Sequence, residues 1–351
     1  MIEIPSRPDE ITAEWLTGAL SSSLPDSRVS RLEVLREDSG TTGRLRLGLT
    51  YEAGSDGPAS VFVKLAPFDE AQRRLVAATE MGRREARFYA SLGREAPLRI
   101  PHAYYAAVGD DSSQYVMVLE DLAASGCTFR TRLEPHPDEL AGQLIESLAR
   151  LHAHFWEDPR FDDELSWVPT AMRGPFGAQL VASAREQYSD DFPPVFDALC
   201  EVFIDNHERI SAILDDGERT LIHGDTHLGN RFVDGQRVGL YDWAVSSQSP
   251  GVRDVAIYLG NSCTPEQRQD NEEAWLRNYH RVLVESGATA PAFDVLWDRY
   301  RRSVIYSWVA ATTAVAMGSK WQPIEVGMLG TARATQACAD LETVEALRAA
   351  L

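Results

Sequence analysis

The stretch "LIHGDTHLGNRFVDGQRVGLYDWA" (residues 221–244) sets His223, His227, Asp225, Asp234, Asp242 and Asn230 between apolar segments. Three readings suit those residue types: a metal cluster, a solvated loop, or a catalytic loop followed by a metal-holding strand. The metal reading takes "HGDTH" as an H-x-D-x-H cluster and adds His152 and His154 from "HAH". Those two lie in a helical pattern two residues apart, so they point to nearly opposite sides of their helix. No carboxylate–histidine partner motif stands elsewhere. The solvated-loop reading explains Asp and Asn at turn positions but not their flanks. "TLI" and "RFV" are strand-like, "DGQR" is a turn, and "VGLYDWA" reads as a second apolar strand ending in an aspartate. The order is therefore strand, polar loop, strand, turn, strand, Asp. It suits phosphoryl transfer, in which one carboxylate faces the nucleophile's proton while a separate Asn and Asp hold the metal that neutralises phosphate charge.

Working outward, the residues before this stretch change period. "DEITAEWLTGAL" (9–20) spaces its apolar residues as a short helix. In "RLRLGLTY" the residues Leu45, Leu47, Leu49 and Tyr51 alternate with polar ones, the mark of a half-buried strand. "VSRLEVLRE" before it and "ASVFVKLAP" after it read as strands, joined by "DSGTTG" (38–43) and the turn "GSDGP" (54–58). Residues 70–92 read as one helix, and two more strands follow around Tyr104 and in "YVMVLEDL". From about residue 136 the pattern is helical, with Leu140, Leu144, Leu148 and Leu151 at i, i+4 spacing and further helices at 193–215, 264–286, 292–317 and 324–349. The chain has no internal repeat and no low-complexity linker. A small lobe of five strands and one helix thus precedes a larger helical lobe.

Composition narrows the function. The 351 residues are enough for about two domains. The net charge of −19 repels phosphate backbones, and no basic stripe interrupts it, so a nucleic-acid partner is not expected. The longest uncharged run, Ser303–Ser319, is shorter than the roughly 20 apolar residues of a membrane span and reads as a core helix. "MIEIPSRPDE" lacks the basic start and apolar run of a signal peptide. Cys127, Cys200, Cys263 and Cys338 are scattered and are expected as reduced thiols, so a cytoplasmic protein is the default. Of the 34 basic residues only Lys64 and Lys320 are lysines; all the others are arginines. A lysine in the middle of the "VFVKLA" strand is therefore an anomaly, and a compact ammonium reaching phosphates explains it.

"HGDTHLGN" and "LYDW" match the signature H-G-D-x-x-x-x-N followed by a strand ending in D-W or D-F. On these residues the chain resembles the aminoglycoside phosphotransferase and choline kinase-like superfamily, a relative of the protein kinases. Its wording is similar to the bacterial branch near the ecdysteroid kinase-like proteins. The resemblance covers about residues 30–260. It implies an α+β, two-lobed protein-kinase-like fold: residues 1–122 would form the nucleotide-binding lobe, a small antiparallel sheet with one main helix. Residues 123–351 would form a mostly helical lobe with the catalytic loop and the substrate pocket.

The resemblance also assigns roles. ATP with magnesium would bind between the lobes, Asp225 would act as catalytic base, and Asn230 and Asp242 would hold the metal. Lys64 would hold the phosphates, oriented by Glu85 of "E-x-x-F-Y", with Glu80 as its rival. The loop of Ser39, Gly40, Thr41, Thr42 and Gly43 would lie over the phosphates, although it lacks a G-x-G-x-x-G pattern. Glu120 and Leu122 would meet the adenine through backbone atoms. Asp254 would brace the catalytic loop, unless it is a plain helix N-cap, and His223 would be structural. His227 and Lys320 receive no role. The function implied is a small-molecule kinase acting on a hydroxyl of an aminoglycoside, an amino alcohol, a sugar or a hydrophobic alcohol. Two other functions stay open: an inactive nucleotide-binding scaffold and a metal-dependent hydrolase.

Overall fold

Alternation of apolar and polar residues places five strands in one antiparallel sheet of order β1-β2-β3-β5-β4: β1 (Val29–Ser39), β2 (Gly43–Tyr51), β3 (Ser60–Leu65), β4 (Ala103–Val108) and β5 (Tyr115–Glu120). The computed structural model describes residues 2–130, 133–171, 174–319 and 323–351; Lys320 lies outside the described residues. The sheet belongs to the first of two compact units, which comprises Met1–Thr128, Val233–Gly235 and Leu240–Val245. This unit runs past the sequence boundary at 122 and takes two later segments, one of which carries Asp242. Leu45, Leu47, Val61, Val63, Leu65, Val116 and Val118 share one buried face, against which α1 (Ala13–Leu20) packs Leu16, Ala19 and Leu20. Thr12 starts that helix by accepting from the Trp15 N–H at 3.1 Å. The register puts Lys64 of β3 opposite Arg44 on one side and Met117 on the other, in the middle of the sheet.

The helix read over 70–92 is broken into pieces. α2 (Glu70–Ala77) ends before Glu80, which takes a left-handed φ of 51°. α3 (Met81–Arg87) then runs into a wider π-type turn at Phe88–Leu92. Gly82 lets α3 lie close on β5, since a Cβ there would meet the Tyr115 ring at 2.1 Å. Glu85 and Ala86 are buried as a result, whereas no described side chain of α2 is.

The second unit comprises Phe129–Phe232, Gln236–Gly239 and Ser246–Leu351. It contains α4 (Asp138–His154), α5 (Pro175–Tyr188), α6 (Val195–Leu214), the short strand β6 (Thr220–Ile222) and, after two strands, β7 (Arg231–Asp234) and β8 (Arg237–Leu240), the strand β9 (Ser247–Ser249). It continues with α7 (Val252–Ser262), α8 (Pro265–Glu285), α9 (Phe293–Ala316), α10 (Ile324–Asp340) and α11 (Thr343–Ala350). β6 pairs antiparallel with β9, from Thr220↔Ser249 to Ile222↔Ser247. The helix expected over 324–349 is two, parted at Glu342 by a left-handed φ of 50°. α5 is an addition to the helices expected from the sequence, and α7 is signalled there only by the candidate cap at Asp254. All of α7 except Asn261 is buried, its polar Arg253 and Asp254 included. The apolar strand expected to end in an aspartate stops at Leu240, and Asp242 sits in the following loop with φ 67°. Among the described residues, no helix is long and apolar enough to cross a membrane. All four cysteines are buried and outside any disulfide.

Candidate functional site

The loop after β6 is held open by its neighbours' polar groups. Gly224 turns the chain with φ 81°, a conformation that side-chain-bearing residues rarely adopt. Asp254, inside the first turn of α7, accepts from the His223 N–H through Oδ2 at 2.7 Å and from the Gly224 N–H through Oδ1 at 2.8 Å. It is not the N-cap, which is Gly251. His152 of α4 adds Nε2 at 3.2 Å from Asp254 Oδ2, and its Nδ1 lies 2.8 Å from the Tyr279 hydroxyl. The Thr226 hydroxyl donates to the Asp254 carbonyl at 2.7 Å, and the Leu228 N–H donates to Ser262 Oγ at 3.1 Å. Both ends of α7 therefore hold the loop. A satisfied buried network of this kind fixes one backbone conformation.

Asp225 projects from this frame, about one-third exposed. The Asn230 amide donates to Asp225 Oδ2 at 2.9 Å and to the Asp225 carbonyl at 3.0 Å. His227 Nε2 lies 3.2 Å from Asp225 Oδ2. His227 Nδ1 accepts from the Gly229 N–H at 2.9 Å, which assigns the remaining ring proton to Nε2, facing the carboxylate. Burial pushes the Asp225 carboxyl up. His227, His223 and the Asn230 amide outweigh burial and hold its pKa below the usual carboxylate value. The loop keeps an ionised, partly exposed carboxylate at neutral pH. His223 is fully buried, and its Nδ1 accepts the Asp225 N–H at 3.2 Å.

The first unit holds a second cluster. Lys64 is buried, 7% exposed, and its ammonium donates to Glu85 Oε2. Asp242 Oδ1 stands 3.6 Å from the same Nζ. Burial pulls the Lys64 pKa down, but the Asp242 and Glu85 carboxylates outweigh it and hold the pKa above the ordinary lysine value. Burial, aided by Asp242, pushes the Glu85 carboxyl up to about 7 against the pull of Lys64. Trp243, next to Asp242, is fully buried and stacks on Phe88 with centroids 3.9 Å apart, while its backbone N–H bonds Glu85. The D-W pair and the E-x-x-F-Y pair thus clasp each other through Trp243 and Phe88. Glu80 lies in the left-handed break before α3, away from this cluster.

Other residues singled out in the sequence lie in the first unit too. The 39–43 turn closes the β1–β2 hairpin, where Ser39 pairs with Gly43. A Cβ on Gly43 would meet Phe68 at 2.2 Å, so only glycine fits there. Ser39 Oγ accepts from the Phe68 N–H at 3.1 Å, and the Gly40 N–H donates to the Thr42 carbonyl at 3.0 Å. Those two groups are committed within the unit, and Thr42 is buried, leaving Thr41 at the tip. The Glu120 side chain grips Arg99, with Oε1 2.7 Å from Nη2, and its N–H donates to the His102 carbonyl. The Leu122 carbonyl accepts from the Cys127 N–H at 3.0 Å.

Two contributions are not legible in the sequence. His227 receives no role there, because its contact with Asp225 depends on the turn that brings its ring back over the loop. His152 stands out there only as a metal ligand and is instead part of the brace. Among the described residues, no group of three or more His, Cys, Asp or Glu side chains is arranged to hold a metal ion. The carboxylate of Asp242, 44% exposed, and the side-chain oxygen of Asn230 are hard donors of the kind magnesium takes in ones and twos beside phosphate oxygens.

The phosphotransferase enzyme family (APH) matches residues 46–284. Among solved structures, aminoglycoside 2'-phosphotransferase-IIIa in its GDP complex is similar at 13% identity and a TM-score of 0.51, over 92% of this chain and 98% of that one. A choline kinase from Cryptosporidium parvum Iowa II is similar at 10% identity and a TM-score of 0.54, over 96% of this chain and 97% of that one. A comparison with curated protein sequences finds no match. These likenesses show the α+β kinase-like fold.

Proposed function

The chain belongs to the phosphotransferase enzyme family, and from that premise we propose that it transfers the γ-phosphoryl group of ATP to a hydroxyl of a small molecule. The observation that carries this reading is the buried Lys64 ammonium held by Glu85 and Asp242 in a chain that otherwise writes its basic residues almost entirely as arginine. A compact cation on a rigid strand suits phosphate oxygens. Asp225 takes the hydroxyl proton as the substrate oxygen attacks the γ-phosphorus. A new P–O bond forms, the bond to the bridging β–γ oxygen breaks, and ADP leaves. Asn230 and His227 orient the Asp225 carboxylate and keep it ionised. Asn230 and Asp242 are the residues that would hold magnesium, which supplies neutralisation of the phosphate charge. The ionised Asp225 argues against an inactive scaffold, whose loop has no need of a partly exposed carboxylate.

The test is phosphorus NMR of the protein with magnesium and ATP, and in parallel GTP, against kanamycin, choline, ribose and cyclohexanol as representatives of four acceptor classes, with 4-hydroxybutyrate as a hydroxy acid beside them. A phosphomonoester signal growing in step with nucleoside diphosphate is the expected result. Inorganic phosphate alone, or no nucleotide consumption with any acceptor, contradicts the proposal.

A further inference from the structure

Within the second unit a cavity of about 180 Å³ opens beside Asp225. Its walls are the 225–229 loop, the end of α7, and the small residues that α9 and α10 turn toward each other, such as Ala311, Ala314 and Gly330. Among the described residues of this lining Asp225 is the one acid, and the one aromatic ring is the His227 imidazole, which Asp225 already engages. Those residues offer a polyamine a single counter-charge and a quaternary ammonium no aromatic cage. The lining instead contains a cation. Arg333 of α10 is 8% exposed, and its guanidinium reaches only two backbone carbonyls, Leu133 at 3.2 Å and Ser262 at 3.5 Å. Among the described residues no carboxylate lies within ion-pairing distance of it. Those carbonyls partly satisfy the charge, since Ser262 ends α7 and a helix C-terminus favours a cation. They leave the group short of a counter-ion, and burial pulls its pKa below the ordinary arginine value.

A planar guanidinium fork that lines a cavity and lacks a counter-ion is best completed by a carboxylate, which it binds through two parallel hydrogen bonds. The part of the ligand seated in the cavity is about one ring or a short chain, since a closed apolar cavity of roughly 150 Å³ holds one benzene. We infer that the acceptor is a small hydroxy acid, one ring or a short chain, with its hydroxyl at Asp225 and its carboxylate at Arg333. The inference rests on the phosphotransferase reading for the fate of the hydroxyl, and on the cavity alone for the carboxylate.

The experiment compares 4-hydroxycyclohexanecarboxylate, 3-(hydroxymethyl)benzoate and 4-hydroxybutyrate, each with its amide and its primary-amine analogue, in wild type and Arg333→Gln. Calorimetry measures binding and diphosphate release measures transfer. At least one acid should exceed its amide in kcat/KM by about thirtyfold, roughly 2 kcal/mol. Arg333→Gln should shrink that ratio to about threefold, with the melting temperature followed as a control. Gly330→Val provides a second variant. Its Cβ would lie 3.6 Å from the Ala311 Cβ, an ordinary contact, and its branches take up room beside the cavity, so binding of the ring acids should weaken at least tenfold, with the melting temperature again followed as a control. An acid-to-amide ratio that Arg333→Gln leaves intact, preference for the amines, or no binding of any acid overturns the inference. Acid binding that depends on Arg333 without any phosphoryl transfer sinks the phosphotransferase reading and leaves the pocket assignment standing.

Discussion

Lys64 is conspicuous by composition, because the chain contains only one other lysine. Its surroundings turn that anomaly into a geometric requirement: a buried ammonium with Glu85 on one side and Asp242 at 3.6 Å on the other. Lys64→Arg preserves the charge but substitutes a broad planar fork for a point charge. The variant should fold, with a melting temperature within a few degrees of wild type. Its kcat/KM for ATP should fall by at least about tenfold, or ~1.4 kcal/mol of transition-state stabilisation. Steady-state kinetics beside a melting curve checks this, and full activity in the arginine variant would remove Lys64 from phosphate binding. His227 shows the opposite case. Nothing in "HGDTH" distinguishes a ring that folds back to 3.2 Å from Asp225 from one that faces solvent. Its position becomes informative only once Gly229 has fixed the ring's tautomer.

At the scale of elements, α7 does more for the 223–230 loop than its sequence discloses. Asp254 near its start and Ser262 at its end accept the loop's N–H groups, and His152 and Tyr279 extend the network into α4 and α8. Sequence leaves Asp254 between a brace and an N-cap because both roles place an aspartate beside a helix start. Spacing does not say which N–H groups it faces. The sequence signals α7 only through the candidate cap at Asp254 and does not give its extent. Strand pattern is legible by contrast, since β2 alternates cleanly between a buried and an open face. Asp254→Asn tests the brace. An asparagine has one acceptor oxygen where three donors converge, and its amide N–H groups would face another donor. A buried donor left without a partner costs about 1–3 kcal/mol. The variant should melt several degrees lower and lose kcat with little change in KM for ATP. Unchanged melting and unchanged kcat together would show that the loop holds its shape without Asp254.

Across the whole molecule, strand and helix periods reveal the division into a sheet-bearing part and a helical part. They do not reveal that Val233–Gly235 and Leu240–Val245 return to the first unit. Short segments that change units carry no periodic signal, so sequence position groups Asp242 with the helical part. The structure instead puts the groups proposed for the phosphates, Lys64, Glu85 and Asp242, in one unit and the proposed base, Asp225, in the other. Nucleotide binding and proton removal should therefore be separable by mutation. Asp225→Asn removes the base while leaving the Asn230 amide a neutral oxygen to bond. Single-turnover kinetics and ATP calorimetry on that one variant make the most direct measurement. The account predicts a kcat lower by roughly 10²–10⁴, with the ATP dissociation constant within about twofold of wild type. Turnover near the wild-type rate, or ATP binding lost together with turnover, would contradict it.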